Sequence, residues 1–311
     1  MMILDSVKTY NNFSLKEYTT LKIGGEAEIA YFPSSIEEMI AIRNHLNSKN
    51  KRITVIGAGS NLLISSDGIS GGVILTGNLS SCEFLADNRI KAYSGLKSSR
   101  FAQLLYENSL SGLEFLIGIP GTIGGAVTMN SSAHGQAIEQ VIESVEVLNL
   151  ETGELLNLDK FELDLGYRYS FVESNRHLIL SATFKLQKDH PEKIMEKMEF
   201  HLNWRKQKHP PLTQPNAGST FRNPEEGVYV GRLFEKLGAK NWVEGGAKIS
   251  DIHANFLINT GSATSTDVSR LMHKMYNAVK KNFGYDLIAE IRYVGDASEE
   301  EEKIWKSFQV H

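Results

Sequence analysis

The chain has 311 residues, a formal net charge of −4, 41% hydrophobic and 23% charged residues; this length predicts two or three domains, and an acidic balance without Lys/Arg-rich runs argues against a nucleic-acid partner. A single cysteine, Cys82, excludes an intrachain disulfide and a cysteine-rich zinc site and suits a reducing cytoplasm. No apolar run approaches the roughly 20 residues of a membrane span, and the opening "MMILDSVKTYNNF" lacks the basic start and apolar core of a signal peptide.

In chain order, "EIAYFP" reads as a strand. Ser34, with Glu37 three residues on, gives a capping-box pattern, and Ile36, Met39, Ile40 and Leu46 then recur at helical spacing, predicting a helix over 34–48. The strand "RITVIG" (52–57) follows and runs into Gly57-Ala58-Gly59. This stretch, "VIGAGSNLLIS", resembles a dinucleotide loop, but Leu62 stands where G-x-G-x-x-G needs its third glycine. The next residues, "NLLISSDGISGGVIL", hold too many β-branched residues and glycines for a helix.

Further on, "CEFLA" and "RIKAYSG" flank a hairpin turn at Asp87-Asn88, and a helix over about 98–109 places Phe101, Leu104 and Leu105 on one face. A second glycine-rich segment, "GIPGTIGGAVTMN" (118–130), is followed by a hairpin, "SVEVLNL" and "LLNL", and by the strand "LILSATFKLQ". Pro191 suits the first turn of a helix reaching about 207, and Pro210, Pro211 and Pro215 mark a linker. Residues 266–284 form the clearest helix, with an apolar stripe through Val268, Leu271, Met272, Met275, Val279 and Phe283 and a stop at Gly284. "DLIAEIRYVG" reads as the strand after it, and the acidic tail as a short surface helix docking Ile304, Trp305 and Phe308. Strand pairs mixed with isolated helices make an α+β class, without the βαβα alternation of a doubly wound sheet.

There is no P-loop and no HExxH, and nine scattered histidines give no metal site. A lone G-x-G is more often a tight turn than a ligand site. Two glycine-rich loops, the second offering Pro120, Gly121, Gly124 and Gly125, favour a long diphosphate cofactor without choosing which. Ser219 in "NAGSTFRNP" is not a nucleophile elbow, because Ala217 and Phe221 break G-x-S-x-G, and locally it reads as a turn cap. Arg168 in "GYRYSF" reads locally as a strand-end arginine. Alternation puts Leu287, Ala289, Ile291 and Tyr293 on one face and Glu290, with Ile288, Arg292 and Val294, on the other.

Taken in order, "TTLKIGGEAEIAYFP", "VIGAGSNLLIS", "GIPGTIGGAVTMNSSAHG", "YRYSF", "NAGSTFRNP" and "AEIRYVG" resemble the UDP-N-acetylenolpyruvoylglucosamine reductases over about residues 18–295. The resemblance implies a two-subdomain FAD-binding module of the vanillyl-alcohol-oxidase (PCMH) type, residues 1–75 and 76–208. A C-terminal α/β substrate-binding domain (209–295) and an acidic tail (296–311) complete the expected division. It implies non-covalent FAD held by Gly57, Ala58, Gly59, Ser60, Asn61, Leu62, Pro120, Gly121, Thr122, Gly124, Gly125 and Ala126, with His134 near the flavin.

By the same resemblance, NADPH reduces the flavin. N5 then passes hydride to the enolpyruvyl ether of UDP-N-acetylglucosamine enolpyruvate, giving UDP-N-acetylmuramate for peptidoglycan. Arg168 and Glu290 stabilise the enolate, Glu290 only when protonated or through another group, and Ser219 protonates the α-carbon. Tyr167, Lys208 and Asn223 meet the UDP-sugar substrate. The chain departs from the family pattern at Ser132 ("NSSA" against "NAGA") and at Glu26. The short span between Arg168 and Lys208 matches the subtype lacking a tyrosine-bearing substrate loop. A monomeric cytoplasmic enzyme is expected, with neither a nucleic-acid nor a membrane partner. Two rivals stand beside this reading: another FAD oxidoreductase of the same cofactor fold, and a non-catalytic flavin-binding module.

Overall fold

The computed structural model describes residues 2–174 and 176–308. The chain divides into two compact units: residues 1–11, 29–58 and 71–205 form the first, and residues 12–28, 59–70 and 206–311 the second. This differs from the sequential division expected above. The two N-terminal segments 12–28 and 59–70 take their contacts from the C-terminal half, and Leu21, Ile23 and Leu63 share a core with residues between 217 and 308.

Two larger sheets lie mainly in the first unit. One orders its strands Lys8–Ser14, Glu26–Phe32, Ile69–Leu75, Ile53–Ile56, the last two parallel. Helix Ile36–Ser48 buries Met39, Ile42 and Leu46 in a core with Tyr31 and Ile74. Its cap lies one residue later than expected: Ser35, not Ser34, accepts the Glu38 N–H, while the Glu38 carboxylate reaches back to Ser34 N–H and Oγ.

The other sheet is antiparallel, in the order Leu155–Asp159, Ile142–Asn149, His177–Lys185, Arg89–Tyr93, Cys82–Phe84. Asp87 and Asn88, with φ of 58° each, turn its hairpin as expected. Helix Ser98–Glu107 supplies Phe101 and Leu105 to the core of this sheet, where Phe115 and Phe184 are also fully buried. Each such aromatic contributes about 1.5–3 kcal/mol through removal from water.

The second unit is built on an antiparallel sheet in the order Asn216–Ser219, Phe256–Asn259, Ala247–Ile249, Val243–Glu244. Helix Ser265–Phe283 covers it, capped by a reciprocal Thr264–Asp267 box and stopped by Gly284 at φ 81°. The stretch expected as one strand over 286–295 is regular only at Arg292–Val294, which pairs in parallel with Leu62–Ile64. Upstream, its neighbour is the irregular segment 220–222, so pairing is limited to a Phe221–Ala289 bridge and single hydrogen bonds. The tail forms helix Glu299–Lys306, which docks Ile304 and Phe308 into the core and donates from Trp305 Nε1 to Ser269 Oγ at 2.9 Å. Among the described residues, no helix is long and apolar enough to cross a membrane.

Candidate functional site

In the first unit, strand Ile53–Ile56 delivers Gly57 against the second glycine-rich segment. A Cβ on Gly57 would lie 2.6 Å from Thr122 Oγ1. The two segments picked out in the sequence therefore meet, and the approach requires glycine. Gly121, at φ 141°, turns the chain into helix Ile123–Thr128, whose Gly124 N–H donates to Ser94 O at 2.9 Å. A Cβ at Gly124 would press on Ser94, whereas Gly125 is exposed and a Cβ there would meet Thr122 Oγ1 only at an ordinary contact distance of 3.8 Å. The neighbouring Ser94 and Ser98 hydroxyls are buried, with no hydrogen-bond partner among the described residues. A cradle without side-chain bulk beside unspent hydroxyls fits a diphosphate-bearing cofactor. Arg205 Nη1 braces the entry to this segment by donating to Gly118 O at 3.1 Å.

Arg168 is not at a strand end. Gly166 and Tyr169 exchange backbone hydrogen bonds of 3.1 and 3.2 Å, leaving Tyr167 and Arg168 at the tip of a two-residue turn. Arg168 sits at φ 58°, a left-handed conformation that a non-glycine residue adopts at a cost. The turn is held from below, where Asn130 Nδ2 donates to Gly166 O at 3.0 Å and Ser170 Oγ donates to Thr128 O at 2.9 Å. Arg168 lies over the exposed Tyr167 ring, 5.3 Å from its centroid, and Nη1 donates to Ser132 Oγ at 3.0 Å. Ser132 opens the hairpin Ser132–Ala133/Gln136–Ala137, whose turn is His134-Gly135. His134 is exposed and sets its ring edge-on to Trp204 at 4.6 Å, beside His201.

The second unit holds Gly59 to Leu62, Lys208, Ser219, Asn223 and Glu290. Gly59 has φ 60°, and a Cβ there would collide with the Tyr18 carbonyl. Strand Leu62–Ile64 follows the loop, where a Rossmann fold would place a helix. Ser219 ends its strand after a bulge. Asn216 pairs with Ile258 and Ser219 with Phe256, with Gly218 at φ 79° between them.

The next residue, Thr220, donates its N–H to Asn255 O at 2.8 Å and accepts the Glu290 N–H at 2.8 Å. The main chains of Ser219 and Glu290, 71 positions apart by the difference of their numbers, are thus linked through one residue, Thr220. Asn255 steadies the residue after it by accepting from Phe221 N–H at 3.1 Å and donating to Phe221 O at 2.9 Å. Asn61 Nδ2 donates to the Glu290 carbonyl at 2.9 Å, and Arg292 N–H donates to Asn61 O at 3.0 Å. Lys208 is exposed at the last residue of helix Pro191–Lys208. Asn223 Oδ1 accepts the Val230 N–H at 3.1 Å, holding the start of helix Val230–Lys236.

Several residues of these arrangements carry no signal in the sequence. Ser94, Ser98 and Asn255 have no motif and acquire meaning only from what they face. Ser132 stood out only as a departure from a pattern.

An FAD-binding module with a separate C-terminal domain is the class this architecture defines, and residues 27–159 match the family model described as "FAD binding domain". Residues 210–294 match the model described as "UDP-N-acetylenolpyruvoylglucosamine reductase, C-terminal domain". The chain is 39% identical over 294 residues to the UDP-N-acetylenolpyruvoylglucosamine reductase of Caldanaerobacter subterraneus subsp. tengcongensis, covering 94% of this chain and 96% of that protein. It is 40% identical over 297 residues to that of Clostridium novyi, covering 96% and 95%. The crystal structure of the Thermus caldophilus reductase superimposes with a TM-score of 0.78 at 30% identity, over 92% of this chain and 98% of that one. The chain belongs to the UDP-N-acetylenolpyruvoylglucosamine reductase family, whose members are FAD-dependent oxidoreductases.

Proposed function

We propose that Arg168, Ser219 and Glu290 carry, in this chain, the family's reduction of UDP-N-acetylglucosamine enolpyruvate to UDP-N-acetylmuramate during peptidoglycan precursor synthesis. FAD, reduced by NADPH, supplies the hydride for the terminal enolpyruvyl carbon when bound. Hydride addition leaves negative charge on the α-carbon and its carboxylate. The Arg168 guanidinium offers that carboxylate a planar pair of donors. Ser219 Oγ gives its proton to the α-carbon; a hydroxyl is a weak acid, but a carbanion-like carbon is a strong enough base to take it. Glu290, when protonated, donates to the enolate oxygen.

The observation that supports this reading is the hydrogen bond from Glu290 N–H to the carbonyl of Thr220, which ties the main chain of the proposed stabiliser to the residue after the proposed acid. Gly57 to Leu62, Pro120 to Thr122 and Gly124 to Ala126 hold the cofactor diphosphate by close backbone approach; Pro120 has no N–H to offer and the Gly124 and Ala126 N–H groups donate to Ser94 O and Thr122 O, so other main-chain N–H groups of the two segments are the donors. His134 lines the cofactor site. Lys208, Tyr167 and Asn223 take the UDP part. Asn223 has its Oδ1 engaged by Val230, so its amide nitrogen is the end that can donate to a ligand. Residues 1–208 serve mainly the cofactor and residues 209–295 the substrate, a division supported by the two family models, which match residues 27–159 and 210–294.

A short helix, a strand, a two-residue strand and one long helix fill the span between Arg168 and Lys208, so closure over the UDP part falls to other residues. A monomeric, cytoplasmic enzyme completes the proposal; Cys82, a free thiol, suits a reducing compartment. Anaerobic reduction of the purified flavoprotein with NADPH, followed by addition of the enolpyruvyl substrate, tests the reaction. Prompt flavin reoxidation is expected, and persistence of reduced flavin would overturn it.

A further inference from the structure

We infer that Asn61, within the first glycine-rich loop, is a positioning residue for Glu290, so that the cofactor loop itself fixes the carboxylate proposed to act on the substrate. This rests on the reading of Glu290 given above. The main chain of Glu290 is held on both sides. Its N–H donates to Thr220 O at 2.8 Å, and its carbonyl accepts from Asn61 Nδ2 at 2.9 Å. Asn61 is anchored in turn, since its own carbonyl accepts the Arg292 N–H at 3.0 Å, one step before the parallel ladder Leu62–Arg292, Leu63–Tyr293 and Val294–Ile64 begins.

Asn61 therefore spans the residue after the carboxylate with one bond from its main chain and one from its side chain. A residue gripped at both peptide groups has its Cα–Cβ direction set, and with it the starting point of a long, flexible carboxylate side chain. The stretch needs this grip. Residues 285–291 form no regular strand and pair with segment 220–222 through a Phe221–Ala289 bridge and single hydrogen bonds, so no continuous ladder fixes the main chain at Glu290. Leu287 and Ile291 are anchored in the core on either side, and the two hydrogen bonds hold the main chain of the half-buried Glu290 between them.

Aspartate at 61 tests this, because it keeps the shape of asparagine but cannot donate to the Glu290 carbonyl. Holoenzyme carrying Asn61→Asp, Asn61→Ala, Glu290→Gln or the double change Asn61→Asp/Glu290→Gln is followed by stopped flow. Flavin reduction by NADPH and flavin reoxidation by UDP-N-acetylglucosamine enolpyruvate are measured separately, with FAD affinity and thermal unfolding alongside. Both Asn61 variants are expected to slow reoxidation about 10- to 100-fold, the size of effect that misplacing a reacting group by about an ångström produces. Because Asn61 also lies in the cofactor loop, FAD affinity and NADPH-driven reduction are the reference readouts: at saturating FAD, reoxidation should fall by the larger factor, and the double variant should be no slower than Glu290→Gln alone.

Normal reoxidation in Asn61→Asp, a parallel fall in both half-reactions, or losses that multiply in the double variant would overturn the inference. Unimpaired reoxidation in Glu290→Gln would instead overturn the reading of Glu290 on which it rests.

Discussion

Gly57 and Thr122, from two glycine-rich segments far apart in sequence, touch so closely that a Cβ on Gly57 would sit 2.6 Å from the Thr122 hydroxyl oxygen. Thr122 is itself buried and begins helix Ile123–Thr128. The obstacle is therefore a side-chain atom in a site with little room to yield. Gly57→Ala should destabilise the protein by about 1–3 kcal/mol, the usual range for overpacking, and lower its flavin content. Adding Thr122→Ala should recover most of both losses, and adding Thr122→Val should recover little, because a methyl replaces the hydroxyl in place. Thermal unfolding and flavin-to-protein absorbance ratios read the outcome.

Gly59 should tolerate substitution less well, for a different reason. Its φ of 60° places it in the left-handed region, and its neighbour is the Tyr18 carbonyl, a main-chain atom that no rotamer change can move. Gly59→Ala should cost at least the roughly 1–2 kcal/mol of a left-handed L-residue, with flavin binding lost and no side-chain substitution restoring it. Isothermal titration of apoprotein with FAD measures this.

Arg168 projects from a turn in a strained conformation and is oriented by Tyr167 and Ser132. Lysine would keep the charge but lose the fork, so Arg168→Lys should slow reoxidation by substrate about 10²-fold, in the range of losing a preorganised transition-state donor. Ser132→Ala should cost less, about 3- to 10-fold, the worth of roughly one hydrogen bond near 1 kcal/mol. Neither change should alter NADPH-driven flavin reduction in rapid-mixing experiments.

The C-terminal helix supplies a stability prediction with a defined pH dependence. Glu301 is buried, closes a capping box with Ser298 at 2.8 Å and accepts from Thr266. Burial pushes its carboxyl up, but hydrogen bonds with Ser265 and Ser298 outweigh this and hold it below the ordinary 4.5. A depressed folded pKa means that the ionised group's stabilisation is full above the unfolded value and is lost as pH falls through the folded one. Glu301→Gln should thus lower stability by about 0.5–2 kcal/mol at neutral pH, the value of a helix cap, and the difference should narrow in acid. Urea unfolding at pH 7 and below pH 4 compares the two.

Local structure was legible where local rules decide it. Thr264, Asp267 and Gly284 delimit helix Ser265–Phe283 close to the expected 266–284, and the Asp87-Asn88 turn forms as read. The apolar positions Leu287, Ala289, Ile291 and Tyr293 all join one core, as alternation required, although regular pairing survives only at Arg292–Val294. The cap at Ser35 lay one residue from its expected place because two adjacent serines, each followed by a glutamate at the right spacing, offer the same pattern.

Contacts between distant segments were not legible. Nothing near Thr122 announces Gly57, nothing near Ser132 announces Arg168, and the donor role of Asn61 depends on a segment more than two hundred residues away. The non-sequential units have the same origin. Residues 12–28 and 59–70 look N-terminal in sequence, but their apolar side chains are completed by partners from the C-terminal half. The family resemblance named candidate residues, whereas the structure shows what restrains them.

The most direct test of the account concerns Ser219 as the proton donor. Purified Ser219→Ala holoenzyme is reduced anaerobically with NADPH and then mixed with UDP-N-acetylglucosamine enolpyruvate while flavin absorbance is followed. The account predicts flavin reduction at the parent rate and substrate-driven reoxidation slowed about 10²- to 10⁴-fold, the range typical of losing a general acid. Equal loss of both half-reactions, or reoxidation at the parent rate, would contradict it.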